Sequence, residues 1–218
     1  MAKEKKVFLT NQPDKTVENV EEVLTKTEQF IEQNQKKLTT AATILVVLIA
    51  GIFLINKFYL KPRENNAQAE MFTAQNYMAQ DSFKLALQGD GISYLGFLDI
   101  IDEYPFTKAA NLAHLYAGQC YLKLGQFEDA IDHFKKFSLS SPLVTPMCIG
   151  NTGDAYVELG QLEEGVACYM KAADKSDNDL STPIFLMKAG KVYEQLNQFD
   201  KALQAYKRIQ LDYSKTMQ

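Results

Sequence analysis

Three stretches of this chain repeat one another, and that recurrence limits the fold more than any other feature. HLYAGQCYLKLGQFEDAIDHFKKF begins at His114, IGNTGDAYVELGQLEEGVACYMKA at Ile149 and LMKAGKVYEQLNQFDKALQAYKRI at Leu186. They align without gaps, and Gly118, Gly153 and Gly190 fall 35 and 37 residues apart. Three residues after each glycine stands Tyr121, Tyr156 or Tyr193. A small residue follows (Ala130, Gly165, Ala202), then an aromatic (Phe134, Tyr169, Tyr206). Each unit reads as a helical hairpin. The glycine and the later small residue let two helix backbones approach. Leu124-Gly125, Leu159-Gly160 and Leu196-Asn197 end the first helix, because Gly and Asn tolerate the left-handed cap conformation. The aromatics are expected to fill the space between hairpins. One hairpin cannot bury its apolar face alone, so neighbours must stack into an α-solenoid. The predicted class is all-α, with repeats over about 111–142, 146–178 and 183–213.

Gly-x-x-Tyr, then Leu-Gly-x-Phe-x-x-Ala and an aromatic four residues on, resembles the tetratricopeptide repeat, whose unit is about 34 residues. The Trp position of that repeat is taken here by His114, Ile149 and Leu186. The resemblance implies a concave groove lined by the first helix of each hairpin. Its inward positions would be Leu112, Leu115, Gln119 and Leu122; Met147, Gly150, Asp154 and Val157; and Ile184, Met187, Lys191 and Glu194. Gln119, Asp154 and Lys191 stand at the Asn positions of the clamp with which some members grip a terminal carboxylate, so that clamp is missing. The Leu, Met and Ile positions point to an apolar groove with adaptable methionines, suited to unfolded or helical segments. The alternative, that several of them pack against neighbouring helices, stays open.

Upstream, residues 61–108 read as a divergent hairpin. Ala67, Met71, Ala74, Met78 and Phe83 mark one helix, interrupted at Gly89-Asp90-Gly91. Tyr94, Leu95, Phe97, Leu98, Ile100 and Ile101 mark a second, stopped at Tyr104-Pro105. The G-x-G follows no strand and reads as a turn, not a nucleotide loop. Downstream, the helix over 198–213 has no polar capping helix after it, and is expected either to lay its apolar side against a partner or to tolerate fraying.

Before the array lies LTTAATILVVLIAGIFLINKFYLKP. Thr39 to Leu60 is 22 residues with one charge, Lys57, and a bilayer core needs about 20 residues of helix. Residues 38–60 are therefore expected to cross a lipid bilayer, with Lys57 snorkelling and Phe58 and Tyr59 at the interface. A signal peptide fits poorly, because 37 residues precede the run and no small-x-small cleavage site follows. Lys26, Lys36 and Lys37 on one flank balance Lys57, Lys61 and Arg63 on the other, so charge does not fix the orientation. Residues 1–37 form a tail. Within it Val17, Val20, Leu24, Thr27, Ile31, Asn34 and Leu38 make one stripe of an amphipathic helix that Asp14 can cap.

Composition excludes several functions. Residues 61–218 carry 15 Lys+Arg against 20 Asp+Glu, so no basic stripe is available for nucleic acid. The cysteines Cys120, Cys148 and Cys168 form no C-x-x-C pair and read as small buried hydrophobes. With only two histidines, His114 and His133, a zinc site has too few ligands at useful spacing. Asp177, Asn178 and Asp179 resemble part of a calcium loop without its Gly and closing Glu. No catalytic constellation is visible, so the expectation is a non-enzyme with no cofactor, no metal and no small-molecule substrate.

The whole layout is similar to a further family, carried by E-x-N-x-K (Glu32, Asn34, Lys36), one span, and an array opening with an N-A-x-A-x-x-M-F-like helix. These resemble the YfgM-type ancillary subunits of the Sec translocon. That resemblance implies the bacterial inner membrane, a cytoplasmic N-terminus and a periplasmic array. It also implies Sec translocon subunits, a periplasmic chaperone and unfolded exported proteins as partners, with chaperone-like client binding. Two other readings stay open: a scaffold for envelope or cell-surface assembly, and an organelle outer-membrane receptor with the array in the cytosol.

Overall fold

The computed structural model describes residues 15–176 and 178–213, with side-chain environments from residue 33 onward. The expected cap Asp14, Asp177 of the calcium-like stretch and residues 214–218 lie outside the described residues. So do the side chains of the stripe from Val17 to Ile31. The chain divides into two units, residues 1–56 and 57–218.

The first unit holds one helix, α1 (Lys15–Ile55). Its second half carries Ile44, Val46, Leu48, Ile52, Phe53 and Ile55, each 56–68% exposed. Consecutive residues from 44 to 49 are all exposed, so the helix is bare on every side. Its few hydroxyls are satisfied internally: Thr40 and Thr43 Oγ1 donate to the carbonyls of Lys36 and Thr39, both at 2.8 Å. Among the described residues, the one helical stretch that is long and apolar enough to cross a membrane includes this half of α1.

A π-helical stretch, Asn56–Leu60, spans the boundary, and the second unit continues with α2 (Lys61–Ala79), α3 (Phe83–Gln88) and α4 (Phe97–Glu103). Three two-helix hairpins follow: α5 (Lys108–Lys123) with α6 (Phe127–Lys136), α7 (Val144–Glu158) with α8 (Leu162–Ser176), and α9 (Thr182–Gln195) with α10 (Phe199–Asp212). Among the described residues there is no strand. Each second helix packs on the first helix of the next hairpin, which is the stacking that a solenoid needs.

The expected turn chemistry is present. Gly125, Gly160 and Asn197 have φ of +76°, +73° and +56°. In each turn the amide of the next residue reaches back to the repeat tyrosine: Gln126 to the Tyr121 carbonyl at 2.9 Å, Gln161 to Tyr156 at 2.9 Å and Gln198 to Tyr193 at 2.8 Å. This paired closure is the Schellman motif, and it takes up carbonyls that the helix end would otherwise orphan.

The same motif corrects the reading of the divergent hairpin. Asp81 takes φ +57°, and Ser82 N donates to the Tyr77 carbonyl at 2.9 Å. The first helix therefore stops at Ala79, ten residues before the glycines at which the pattern placed the break. Tyr77 and Asp81 are the counterparts of Tyr121 and Gly125. The second helix is split in two, α3 and α4, by the loop 89–96, and Tyr94 and Leu95 belong to that loop rather than to a helix. Gly89 and Gly96 close it backbone against backbone: a Cβ on Gly89 would stand 2.6 Å from the Tyr94 carbonyl oxygen and 2.7 Å from the Gly96 nitrogen. Asp90 Oδ1 accepts from the amides of Ile92, Ser93 and Tyr94 at 2.9, 2.7 and 3.1 Å. Those bonds hold its carboxyl at about 2.

Packing also revises the part assigned to the aromatics. A Cβ on Gly118 would lie 2.6 Å from the Phe134 ring and one on Gly153 2.9 Å from the Tyr169 ring, while one on Gly190 would overlap Tyr206. Each aromatic thus covers the glycine of its own hairpin, sixteen residues back. Phe134 and Tyr169 also pack in clusters that reach the next hairpin, at Cys148 and Leu186, and there they are joined by residues such as Phe185, whose ring lies over Gly150.

Candidate protein-binding groove

The predicted inward positions do not form one continuous apolar surface. Leu115 is 5% exposed and sits in a core cluster with Ala130, Ile131, Phe134 and Cys148. Leu112 and Leu122 are half-buried against that cluster, and Val157 and Met187 against the next one. Gly150 is buried beneath Phe185. Gln119 is half-buried, and Lys191 and Glu194 are exposed. The apolar positions that remain open are Met147 at 42% and Ile184 at 51% exposure. The expected apolar groove is corrected to two apolar points among polar groups. The reason is geometric: branched side chains at the inward positions of α5 reach sideways into the seams between helices, where burial is more favourable than exposure.

Asp154 shows what replaces the carboxylate clamp. Its Oδ1 accepts from the Tyr169 hydroxyl at 2.6 Å, and Lys188 Nζ reaches both carboxylate oxygens at 2.7 and 2.8 Å. Lys188 also lies 5.6 Å from the centre of the Tyr169 ring. Burial and the Asp154 carboxylate push the Tyr169 hydroxyl above its ordinary range. This polar knot joins the second and third hairpins at mid-groove. It places a carboxylate, already engaged, at one of the positions where the clamp would carry Asn.

Other polar links were not legible as motifs. Glu64 on α2 accepts from the Lys108 amide at 2.6 Å and the Ala109 amide at 3.3 Å, placing a carboxylate at the positive end of α5. Arg63 donates to the Glu103 carbonyl. Asn111 receives the Ser138 and Leu139 amides at 3.0 and 3.3 Å, and Arg208 Nη1 meets Asp174 at 2.6 Å. All span 27 to 45 residues in sequence, beyond any local pattern. Asn178, part of the calcium-like stretch, spends its side-chain oxygen on the Leu180 and Ser181 amides at 3.0 and 2.9 Å, as an Asx turn does.

The opposite side of the array carries a cleft of about 350 Å³ between α6, α7 and α8. Phe134, Phe137, Ile149 and Tyr156 make its apolar wall, and Lys135 and Lys171 lie at its margin. Cys148 and Cys168 also line it, and with Cys120 they are unpaired thiols. Burial drives Cys120 and Cys148 up to about 12, which leaves them inert as nucleophiles. On α10, Leu203 is 51% exposed, whereas its repeat counterparts Ile131 and Val166 are 5% and 6% exposed under the next hairpin, and Phe199 is 62% exposed where Phe127 and Leu162 are half-buried.

Comparison with known proteins agrees with this architecture. Residues 112–142 and 151–214 match two family models, each described as tetratricopeptide repeat. Among solved structures, MamA is similar with a TM-score of 0.51 and 18% identity over 63% of this chain and 72% of that one. A 41-to-end fragment of MamA from Desulfovibrio magneticus RS-1 gives 0.55 and 15% over 73% and 82%. An RS-1 MamA double mutant gives 0.54 and 15% over 74% and 82%. At such identities the likeness is one of fold. No curated protein is a significant match to the sequence. The chain carries tetratricopeptide repeats, and the array they build is a protein-interaction scaffold.

Proposed function

We propose that this protein is a single-pass membrane protein whose residues 38–60 anchor a repeat array that binds other proteins without catalysing a reaction. The observation that carries the anchor is the bare second half of α1. Apolar side chains exposed around the whole circumference of a helix are stable in lipid and costly in water. The resemblance to YfgM-type subunits supports the finer reading. In it the N-terminus lies in the cytoplasm, the array lies in the periplasm of a bacterial inner membrane, and the partners are Sec translocon subunits, a periplasmic chaperone and unfolded exported clients. Met147 and Ile184 suit such clients, because a sparse pair of apolar contacts beside a charged surface binds weakly and releases readily.

Two measurements test this. Protease added to intact cells and then to spheroplasts is expected to cut the array only in spheroplasts; cutting in neither, with cleavage after lysis, places the array in the cytosol and refutes the periplasmic reading. A photo-crosslinker at position 147 or 184 is expected to capture translocon subunits and nascent exported chains. Capture of one fixed assembly independent of secretion refutes the translocon reading in favour of an envelope scaffold.

A further inference from the structure

His114 and His133 are the only histidines of the chain, and the first hairpin brings them together. His114 on α5 and His133 on α6 present their Nδ1 atoms 3.2 Å apart, with the Tyr121 ring centre 5.2 Å from that of His133. Both rings are half-buried, so one side of the pair stays reachable from solvent. The hairpin does not need histidines here. The aligned pairs in the other two repeats are Ile149 with Cys168 and Leu186 with Ala205, apolar in both cases.

We propose that His114 and His133 form a two-imidazole site for a divalent transition-metal ion that clamps α5 to α6. Imidazole nitrogens bind Zn²⁺ at about 2.0–2.1 Å, so two of them on a tetrahedral ion stand about 3.3 Å apart. The observed separation already matches one edge of that tetrahedron. Charges of both signs surround the pair, and Lys136 acts on each ring more strongly than any single aspartate. Asp102 acts on His114, Asp129 and Asp132 act on His133, and Lys136 is the one opposing charge acting on both. Burial and the proximity of the two rings hold His133 down at about 4, so at neutral pH both rings are uncharged and able to ligate.

In the metal-free pair one Nδ1–H donates to the other Nδ1. Ion binding requires both Nδ1 lone pairs, so the donor's proton moves to its Nε2, with no net proton released and no change of oxidation state. No group of three or more His, Cys, Asp or Glu among the described residues could complete a closed cage. Water therefore fills the remaining positions, and the ion exchanges freely. Nitrogen ligands select Cu²⁺, Zn²⁺ or Ni²⁺ over the oxygen-seeking Mg²⁺ and Ca²⁺.

The test uses the full, untagged chain in detergent micelles, stripped with chelator. Calorimetric titration with ZnCl2 is expected to show one ion per chain, and thermal unfolding to shift upward with Zn²⁺. At 100 times the dissociation constant the folded-to-unfolded ratio rises about 100-fold. CuSO4 is expected to act at lower concentration and MgCl2 not at all. His114→Leu with His133→Ala, the pair used by the third repeat, should keep the helical circular dichroism and lose the metal response. An unchanged Zn²⁺ response in that double variant, or none in the parent chain, overturns the site. Should the variant fail to fold, ¹⁵N spectra of the parent's two imidazoles decide: movement of both Nδ1 resonances with Zn²⁺ supports the proposal, and movement of neither refutes it.

Discussion

The packing of Phe134 over Gly118 makes Gly118→Ala a test in which the sign of the effect is informative. In an exposed helix interior, alanine is better than glycine by about 0.8–1.0 kcal/mol, so without the close approach this variant would stabilise the array. Here the added Cβ would stand 2.6 Å from Cδ1 and Cε1 of Phe134 and 3.1 Å from Cγ, whereas carbon contacts settle at about 3.5–4.0 Å. The ring must withdraw by about 1 Å, and at 3% exposure it is held by the core cluster that it shares with Leu115, Ile131 and Cys148. Overpacking of this kind costs about 1–3 kcal/mol. Set against the helix gain, the expected outcome runs from near neutrality to a net loss of about 2 kcal/mol. Urea unfolding followed by far-UV circular dichroism, on the full chain in micelles, reads this as a midpoint equal to or below the parent's at unchanged slope. In a Phe134→Leu background the cost of the alanine should fall by at least about 1 kcal/mol, because the two residues are coupled through one contact. Stabilisation by Gly118→Ala, or equal costs in both backgrounds, would refute the glycine-to-aromatic account of the hairpin.

Three further outcomes follow from the same structure. Gly160 has open space around it but φ of +73°, so Gly160→Ala should cost about 1–2 kcal/mol through backbone strain alone, while Asn197→Gly changes stability by only a few tenths; denaturant midpoints compare the two. His133 is held near 4 in the folded chain against an ordinary 6.5, and His114 is shifted the same way. The unfolded chain therefore binds more protons between those values, and stability should be full above about pH 6.5 and fall as pH drops toward 4. In the His114→Leu/His133→Ala variant that part of the pH dependence should flatten. Asp154→Ala removes both the Lys188 ion pair and the acceptor of the buried Tyr169 hydroxyl, and should cost about 1–3 kcal/mol while lowering the Tyr169 hydroxyl pKa, which ultraviolet titration measures.

Much of the array was legible because its logic is local. Gly118, Leu124-Gly125 and Ala130 lie within thirteen residues, and backbone geometry dictates what may stand at each. The divergent hairpin was misread for the same reason in reverse. Its left-handed cap is Asp81, a residue type that carries no glycine signal, and the five-residue step from Met78 to Phe83 was the one trace of the phase change. The groove was legible only as positions. Whether Leu115 faces a ligand or a seam depends on where Phe134 and Cys148 lie, and those come from other helices.

The sequence by itself determined the hairpins, their caps, their number among the aligned repeats and the apolar run of α1, since each follows from periodicity or from the conformational limits of single residues. Tertiary structure alone decided that the aromatics cover their own glycines, that Asp154 is tied to Lys188 and Tyr169, and that His114 meets His133. These pairings join residues fifteen to thirty-four apart, and their strength depends on a distance of a few tenths of an ångström. That distance is set when helices close-pack, and no spacing along the chain encodes it.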